Sequence, residues 1–438
     1  MLQKFKEHIN SDFSFLSDKK LLIAISGGID SIVLSHLLHL SNFDISFAHC
    51  NFNLRGNESD EDEVFIKELG KILNKKVFTT HFDTENYAKE NKKSIQIAAR
   101  DLRYNWFKEL IKEYQYDYII TGHNTNDNLE TFLINLSRGT GLEGLTGIPP
   151  INGKIVRPLL AFSRDEIVLF AIKNNITWRE DKSNASIKYV RNKVRHQVLP
   201  ILREINPNLL SSFQNTLTYL NESQQIIDEK VAEISSKIIK KDPNGILKID
   251  ILEFDKTPHK KAYLYQILKD YGFTEWNDVV DLITAQSGKQ LFSKEYRLIK
   301  DREFIILTKI NTALEAINQF KILASTRKIK KPIALSLNIV SEEIDIDNKT
   351  IYVDKDLLKF PLIVRKWEYG DYFCPTGMNG TKKISRYFKD KKLSLLDKEN
   401  IWLLANADNE IIWVISYRQD NRFLATNTSK NILKITAL

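Results

Sequence analysis

The sequence predicts an α/β fold: a doubly wound parallel sheet, followed by a small α+β domain and a β-rich C-terminal domain. Three observations predict it. Over the first 180 residues, short apolar runs alternate with helical patterns, the order of a parallel sheet covered on both faces. A mixed polar and apolar helical stretch then runs from about 206 to 240. The last segment, 351–438, carries strand-like runs such as "KFPLIVRKW", "NIWLLAN" and "EIIWVISYR". With 438 residues the chain also exceeds one ordinary core.

Taken in order, the predicted strands are "LLIAIS" (21–26), "DISFAH" (44–49), "KKVFTTHF" (75–82), "YDYIIT" (116–121) and "KIVRPLL" (154–160). Helices are predicted near 30–40, 58–73, 94–114, 126–137 and 163–174, where apolar residues recur at helical spacing. The stretch 206–240 reads as a connecting helix. Residues 245–310 read as α+β, with the aromatics of "HKKAYLYQILKDYGF" as core. Residues 311–350 show no motif. The resulting boundaries are 1–210, 211–340 and 351–438.

Composition limits the function classes. No 18-residue apolar stretch exists, so no membrane span is expected. The N-terminus "MLQKFKEHINSDFSF" has no apolar signal region. Two distant cysteines, Cys50 and Cys374, argue against a disulfide framework or a cysteine-rich metal site and fit a reducing cytoplasm. Net charge is +8, and segment 351–438 holds fifteen Lys and Arg against ten Asp and Glu. A mildly basic enzyme and a protein with a polyanionic partner both fit that balance.

Ligands of such sheets sit at the carboxyl ends of the strands. There the chain reads "SGGIDS" (26–31). Gly27 and Gly28 let backbone N–H groups approach a ligand, and the next helix adds its positive end. For the two glycines alone, a tight turn capped by Asp30 or Ser31 is the favoured reading. The turn lacks the lysine of GxxxxGK[ST]. Further on, Arg55 precedes an acidic helix start that it would also simply balance. Arg100 and Arg103 share a helix face, as do Asp127 and Glu130, with His123 just ahead. Asp181, Ser183 and Asn184 read as a polar turn, and Arg191, Lys193, Arg195 and His196 as a basic cluster. A solvated helix face and RNA contact explain that cluster equally.

Several segments together resemble one family. They are "SGGIDS", "AHCNFNLRGNES", "AARDLRY", "GHNTNDNLET", "SRGTGLEGLTGIPP", "RPLL", "WREDKSN", "RNKVRH" and "KWEYGDYFCPTGMNGTKKISRYFKDKKLS" (366–394). The chain resembles the bacterial tRNA(Ile)-lysidine synthetases, within the PP-loop superfamily of N-type ATP pyrophosphatases. The resemblance implies that ATP adenylates the C2 oxygen of the wobble cytidine in a CAU-anticodon tRNA(Ile). The ε-amine of free lysine then displaces AMP. It implies ATP binding by Ser26, Gly27, Gly28, Ile29, Asp30 and Ser31, with Asp30 also placing Mg²⁺. It implies lysine binding by His123, Asp127, Glu130 and Arg103, with Asp30, Asp127 and Arg103 catalytic. Arg55, Arg191, Arg195, Lys366, Lys382, Lys383 and Arg386 would contact tRNA, Trp367, Tyr369, Tyr387 and Phe388 lying among the last four. A homodimer is compatible with it. The chain departs from the family where Asn126 replaces a frequent aspartate and Phe52 a frequent histidine. Two other readings are a tRNA thiolase, which needs reactive cysteine or iron–sulfur ligands, and a non-catalytic tRNA-binding protein.

Overall fold

The structure, a computed structural model, describes residues 1–180, 190–243, 245–310, 319–341, 349–378 and 380–438. The chain forms two compact units, Met1–Asp228 and Glu229–Leu438. Among the described residues no helix is long and apolar enough to cross a membrane.

The first unit runs α1 (Leu2–Asp12), β1 (Lys20–Ala24), α2 (Ile29–Leu40), β2 (Asp44–Asn51), α3 (Asn57–Ile72), β3 (Val77–His81), α4 (Thr84–Glu90), α5 (Ile95–Tyr114), β4 (Tyr118–Ile120), α6 (Thr125–Ser137), α7 (Leu142–Leu145), β5 (Ile151–Asn152), β6 (Ile155–Val156) and α8 (Arg164–Lys173). After them come α9 (Val190–Lys193), a π-type turn (Val194–Val198), α10 (Leu199–Ile205) and the long α11 (Leu209–Ile238), which continues past Asp228. The strands order as β3-β2-β1-β4-β6-β5. All neighbours are parallel except the β5–β6 hairpin.

β1 shows why its sequence is a continuous apolar run. Leu21, Leu22 and Ile23 are fully buried because both sheet faces are covered. Leu21 and Ile23 pack with Ile32, Val33 and Leu37 of α2 and Ile167 of α8. Leu22 points the other way, to Phe107 and Leu110 of α5 and Ile119. The predicted strand at 154–160 is shorter than expected. Pro158 lacks the N–H a strand needs, and a 3₁₀ turn follows at Pro158–Ala161.

In the second unit, β7 (Ile239–Lys241), β8 (Leu247–Asp250), β9 (Gln290–Phe292), β10 (Tyr296–Asp301) and β11 (Phe304–Lys309) form an antiparallel sheet ordered β7-β8-β11-β10-β9. Short helices α12 (Ile251–Asp255), α13 (Lys260–Leu268) and α14 (Trp276–Asp281) accompany it. Phe273 is core and Tyr263 and Tyr271 pack on it, while Tyr265 stays exposed, edge-on to Trp276. Besides the small hairpin of β17 (Tyr372–Phe373) and β18 (Lys382–Lys383), two further sheets hold the rest. One contains β12 (Gln319–Ile322), β16 (Leu362–Arg365), β19 (Leu403–Ala405), β20 (Ile411–Val414) and β21 (Arg418–Gln419). The other contains β13 (Lys328–Ile329), β14 (Leu335–Val340), β15 (Thr350–Asp354) and β22 (Ile432–Ala437). Residues 319–340, silent in sequence, thus supply three strands to sheets completed by residues far along the chain. Between them Trp413, Val364, Leu404 and Ile435 are fully buried.

Candidate active site

β1 and β4 are sheet neighbours from which the strand order runs outward in opposite directions, so a crevice opens at their carboxyl ends. β1 feeds the segment 25–31 and β4 the segment 121–127. Gly27 has φ +89°, a conformation side chains disfavour. Gly28 is the N-cap of α2 and no side chain caps that helix. Its first N–H groups therefore remain for an anion. Ser31 is buried and braces the turn from inside: its Oγ donates to Gly28 O at 2.9 Å and accepts from Ser26 N at 3.2 Å. Gly122 closes the crevice. A Cβ there would sit 3.0 Å from the Asp30 carbonyl carbon and 3.1 Å from Ser31 N. These are backbone atoms and cannot swing aside. Gly122→Ala is expected to push the start of α2 off position and lower turnover about tenfold, a 1 Å misplacement sufficing for such losses. Turnover at saturating substrate checks it.

Three carboxylates line this edge, each held by a guanidinium. Asp30 accepts from Asn124 Nδ2 at 2.9 Å and from Arg164 Nη1 at 3.0 Å. Burial pushes its carboxyl above the usual range, with Arg164 opposing. Asp127 forms a capping box with Asn124 at the start of α6 and accepts from Arg191 at 3.1 Å and Arg195 at 3.4 Å. Glu130 is wholly buried. Arg191 Nε donates to it at 2.7 Å and Arg195 Nε at 2.6 Å.

Two sequence-predicted groups thus meet here, the basic cluster and the acidic pair of α6. Arg191 and Arg195 point at these carboxylates. Glu130 already has both oxygens occupied. The cause is burial: a carboxylate out of water needs full charge compensation, and two guanidinium forks supply it.

His123 follows β4 and its Nδ1 lies 2.9 Å from Thr121 Oγ. Burial pushes its imidazole down to about 4, Asp127 opposing. At neutral pH it offers a lone pair and no charge. Between about pH 4 and 6.5 the unfolded chain binds this proton and the folded one does not. Stability therefore rises with pH across that window, by up to about 1.4 kcal/mol per unit. Melting of the wild type against His123→Gln at pH 5 and 7.5 checks this; the variant is expected to lose part of the dependence.

Arg103 lies over the Phe52 ring at 5.2 Å, and Phe52 stacks on Phe82. The charge of its helix neighbour Arg100, with those of Arg157 and Arg191, opposes protonation of His123. Arg55 pairs with Asp62 at 2.7 Å, as the balancing reading expects. Asp62 also holds Arg179, whose backbone N–H donates to Gly27 O at 3.0 Å. The acidic start of α3 thereby steadies the glycine turn. Asp181, Ser183 and Asn184 lie outside the described residues.

In the second unit, Lys366 is half-buried over Trp402 at 3.9 Å, and burial pushes its ammonium down to about 8. Lys382 pairs with Asp390 at 2.7 Å. Both have protein partners, whereas Lys383 and Arg386 are exposed. Tyr387 and Phe388 are core, Trp367 packs beside them, and Tyr369 is 96% exposed.

Sequence reasoning gave no role to Arg164, Asn124, Gly122 or Arg157. Arg164 had a signal: it opens α8 inside a Ser163–Glu166 capping box just past the end of β6. Arg157, of "RPLL", is buried and donates to Pro149 O at 2.7 Å. Burial pushes the Cys50 thiol up to about 12, leaving it un-ionised and a poor nucleophile. Among the described residues no cluster of three or more His, Cys, Asp or Glu could hold a metal.

Three family models match the chain: a PP-loop domain over residues 1–202, a TilS substrate binding domain over 241–310 and a TilS substrate C-terminal domain over 362–435. The tRNA(Ile)-lysidine synthase of Bacteroides thetaiotaomicron is 38% identical over 433 residues, 98% of each chain. That of Parabacteroides distasonis is 36% identical over the whole of both chains. That of Persephonella marina is 29% identical over 98% of each.

Proposed function

The chain belongs to the tRNA(Ile)-lysidine synthase family, and from that premise we propose that it joins free lysine to the wobble cytidine of a CAU-anticodon tRNA(Ile) through an adenylated tRNA. It is an ATP-using tRNA-modifying enzyme with a PP-loop domain. The observation that carries the reading is the meeting of the uncapped glycine turn with Asp30, Asp127 and His123 at one sheet edge.

In this reading the cytidine C2 oxygen attacks the α-phosphorus of ATP, and the bond to the β-phosphate breaks. Backbone N–H groups of the turn at 26–31 bind the departing pyrophosphate oxygens. Lysine must attack as a neutral amine. Asp127 holds its ammonium and accepts the proton. The amine nitrogen bonds to C2, and the C2–O bond breaks as AMP leaves with that oxygen. Asp30, a single carboxylate beside a phosphate-holding turn, fits Mg²⁺ that keeps substrate phosphates and waters as its other ligands. Bound there, Mg²⁺ supplies neutralisation of phosphate charge. We assign residues 1–210 to this chemistry. We assign 211–340 and 351–438 to tRNA contact, with Lys383 and Arg386 against phosphates.

The test is incorporation of labelled lysine into tRNA(Ile) transcript with ATP and Mg²⁺, with elongator tRNA(Met) of the same anticodon as control. Label in tRNA(Ile) alone, with AMP and pyrophosphate formed, supports the reading. RNA-dependent ATP cleavage without label overturns the nucleophile. Light scattering on the same sample reads whether the working species is a homodimer. Asp127→Ala is expected to raise the lysine KM tenfold or more, and an unchanged KM refutes its assignment.

A further inference from the structure

The three carboxylates and three guanidiniums at the sheet edge are matched one for one. Asp30 pairs with Arg164, while Asp127 and Glu130 share Arg191 and Arg195. An incoming ammonium therefore meets carboxylates already compensated by cations. Adding it alone puts an excess positive charge into a partly desolvated cluster. A carboxylate can accept it only if a guanidinium gives way.

Arg195 is the arginine placed to do so. It lines one cavity with Glu130 and with Asn124 and Arg164, the two residues that hold Asp30, so it faces both the acidic pair and the side of the phosphate turn. It sits in the π-type turn Val194–Val198, which follows directly on α9. Such turns break the regular ladder and recur at functional sites. Arg191 contacts both acids as well, so Glu130 keeps a counter-charge when Arg195 leaves.

We propose that Arg195 is a positioning residue that couples the two small substrates: nucleotide phosphates at the glycine turn draw its guanidinium from Asp127 and Glu130, and the lysine ammonium takes its place. Nucleotide then binds before lysine, and each raises the affinity for the other by the same factor. This inference rests on Asp127 and Glu130 being the lysine acceptors.

The test is calorimetric titration of L-lysine into the full chain, alone and saturated with a non-hydrolysable ATP analogue and Mg²⁺. The wild type is expected to bind lysine at least tenfold tighter in the presence of the analogue. Lysine is expected to tighten the analogue equally in the reverse titration. In Arg195→Gln, lysine binds the nucleotide-free protein at least tenfold better than wild type does, and the coupling is lost. Equal lysine affinity of the wild type with and without analogue overturns the proposal; this arm needs no variant to fold. Coupling that persists in Arg195→Gln assigns it elsewhere and also overturns it. Asp127→Asn separates the underlying reading. If it weakens lysine while wild type shows no coupling, the lysine site stands and only the exchange fails. If it leaves lysine affinity unchanged in the loaded enzyme, the lysine-site reading fails too.

Discussion

Asp30→Ala is expected to lower lysidine formation by roughly 10²–10³, the scale of loss when one preorganised group that stabilises transition-state charge is removed. The protein should remain folded, and the physical chemistry says why. Asp30 is largely enclosed, and burial raises its carboxyl above the usual range despite Arg164 and Asn124. A carboxyl with a raised folded pKa holds its proton more tightly folded than unfolded. Stability then falls as pH rises from the unfolded value through the raised one, so at neutral pH the ionised group costs stability. Removing it lifts that cost. Arg164, left behind, is 42% exposed and can turn to water. The melting temperature of Asp30→Ala should equal or exceed that of wild type while activity collapses. Asp30→Asn keeps the shape and the Asn124 contact, and its matching loss would assign the effect to charge. Activity and melting temperature falling together would instead make Asp30 structural.

Much of this edge is legible in the sequence because strand and turn chemistry are local. The run at 21–26 is apolar without alternation since both faces of the sheet are covered, and the glycines at 27 and 28 mark where the strand stops. Helices bounded by Ser94, Asn124 and Ser163 carry their caps in sequence. Partner choice among charges is not local. Arg191 and Arg195 lie more than sixty positions from Asp127 and Glu130, and nothing at 190–196 distinguishes an inward face from a solvated one. The same holds for Arg103. Helical spacing places it with Arg100, but which of the two opposes protonation of His123 depends on how α5 packs on the sheet. Residues 319–340 were silent for a related reason. Their strands pair with partners at 362–365 and 432–437, so the pattern that completes them is far away in the chain.

Glu130→Ala should be the most destabilising single change in the first unit's polar set. The Glu130 side chain is 1% exposed and takes three guanidinium hydrogen bonds from Arg191 and Arg195. Its removal leaves the buried ends of two cations facing Asp127 alone. Breaking a buried pair from one side costs about 3–5 kcal/mol, and a unit of this size loses about 10 °C in melting temperature. Glu130→Gln keeps the volume but not the charge, and should fall nearly as far if electrostatics dominate. Glu233 supplies the contrast. It sits between Lys230 and Lys237 at 2.7 Å each, and those ammoniums hold its carboxyl down at about 2. Yet Glu233 is on an exposed helix face, where water screens both pairs and all three side chains lose freedom in making them. Glu233→Ala should leave melting unchanged. Thermal melts of the three variants side by side decide whether burial or pairing sets the scale. A small shift for Glu130→Ala would mean that Arg191 and Arg195 relax to water at little cost, and that the cluster is looser than its distances imply.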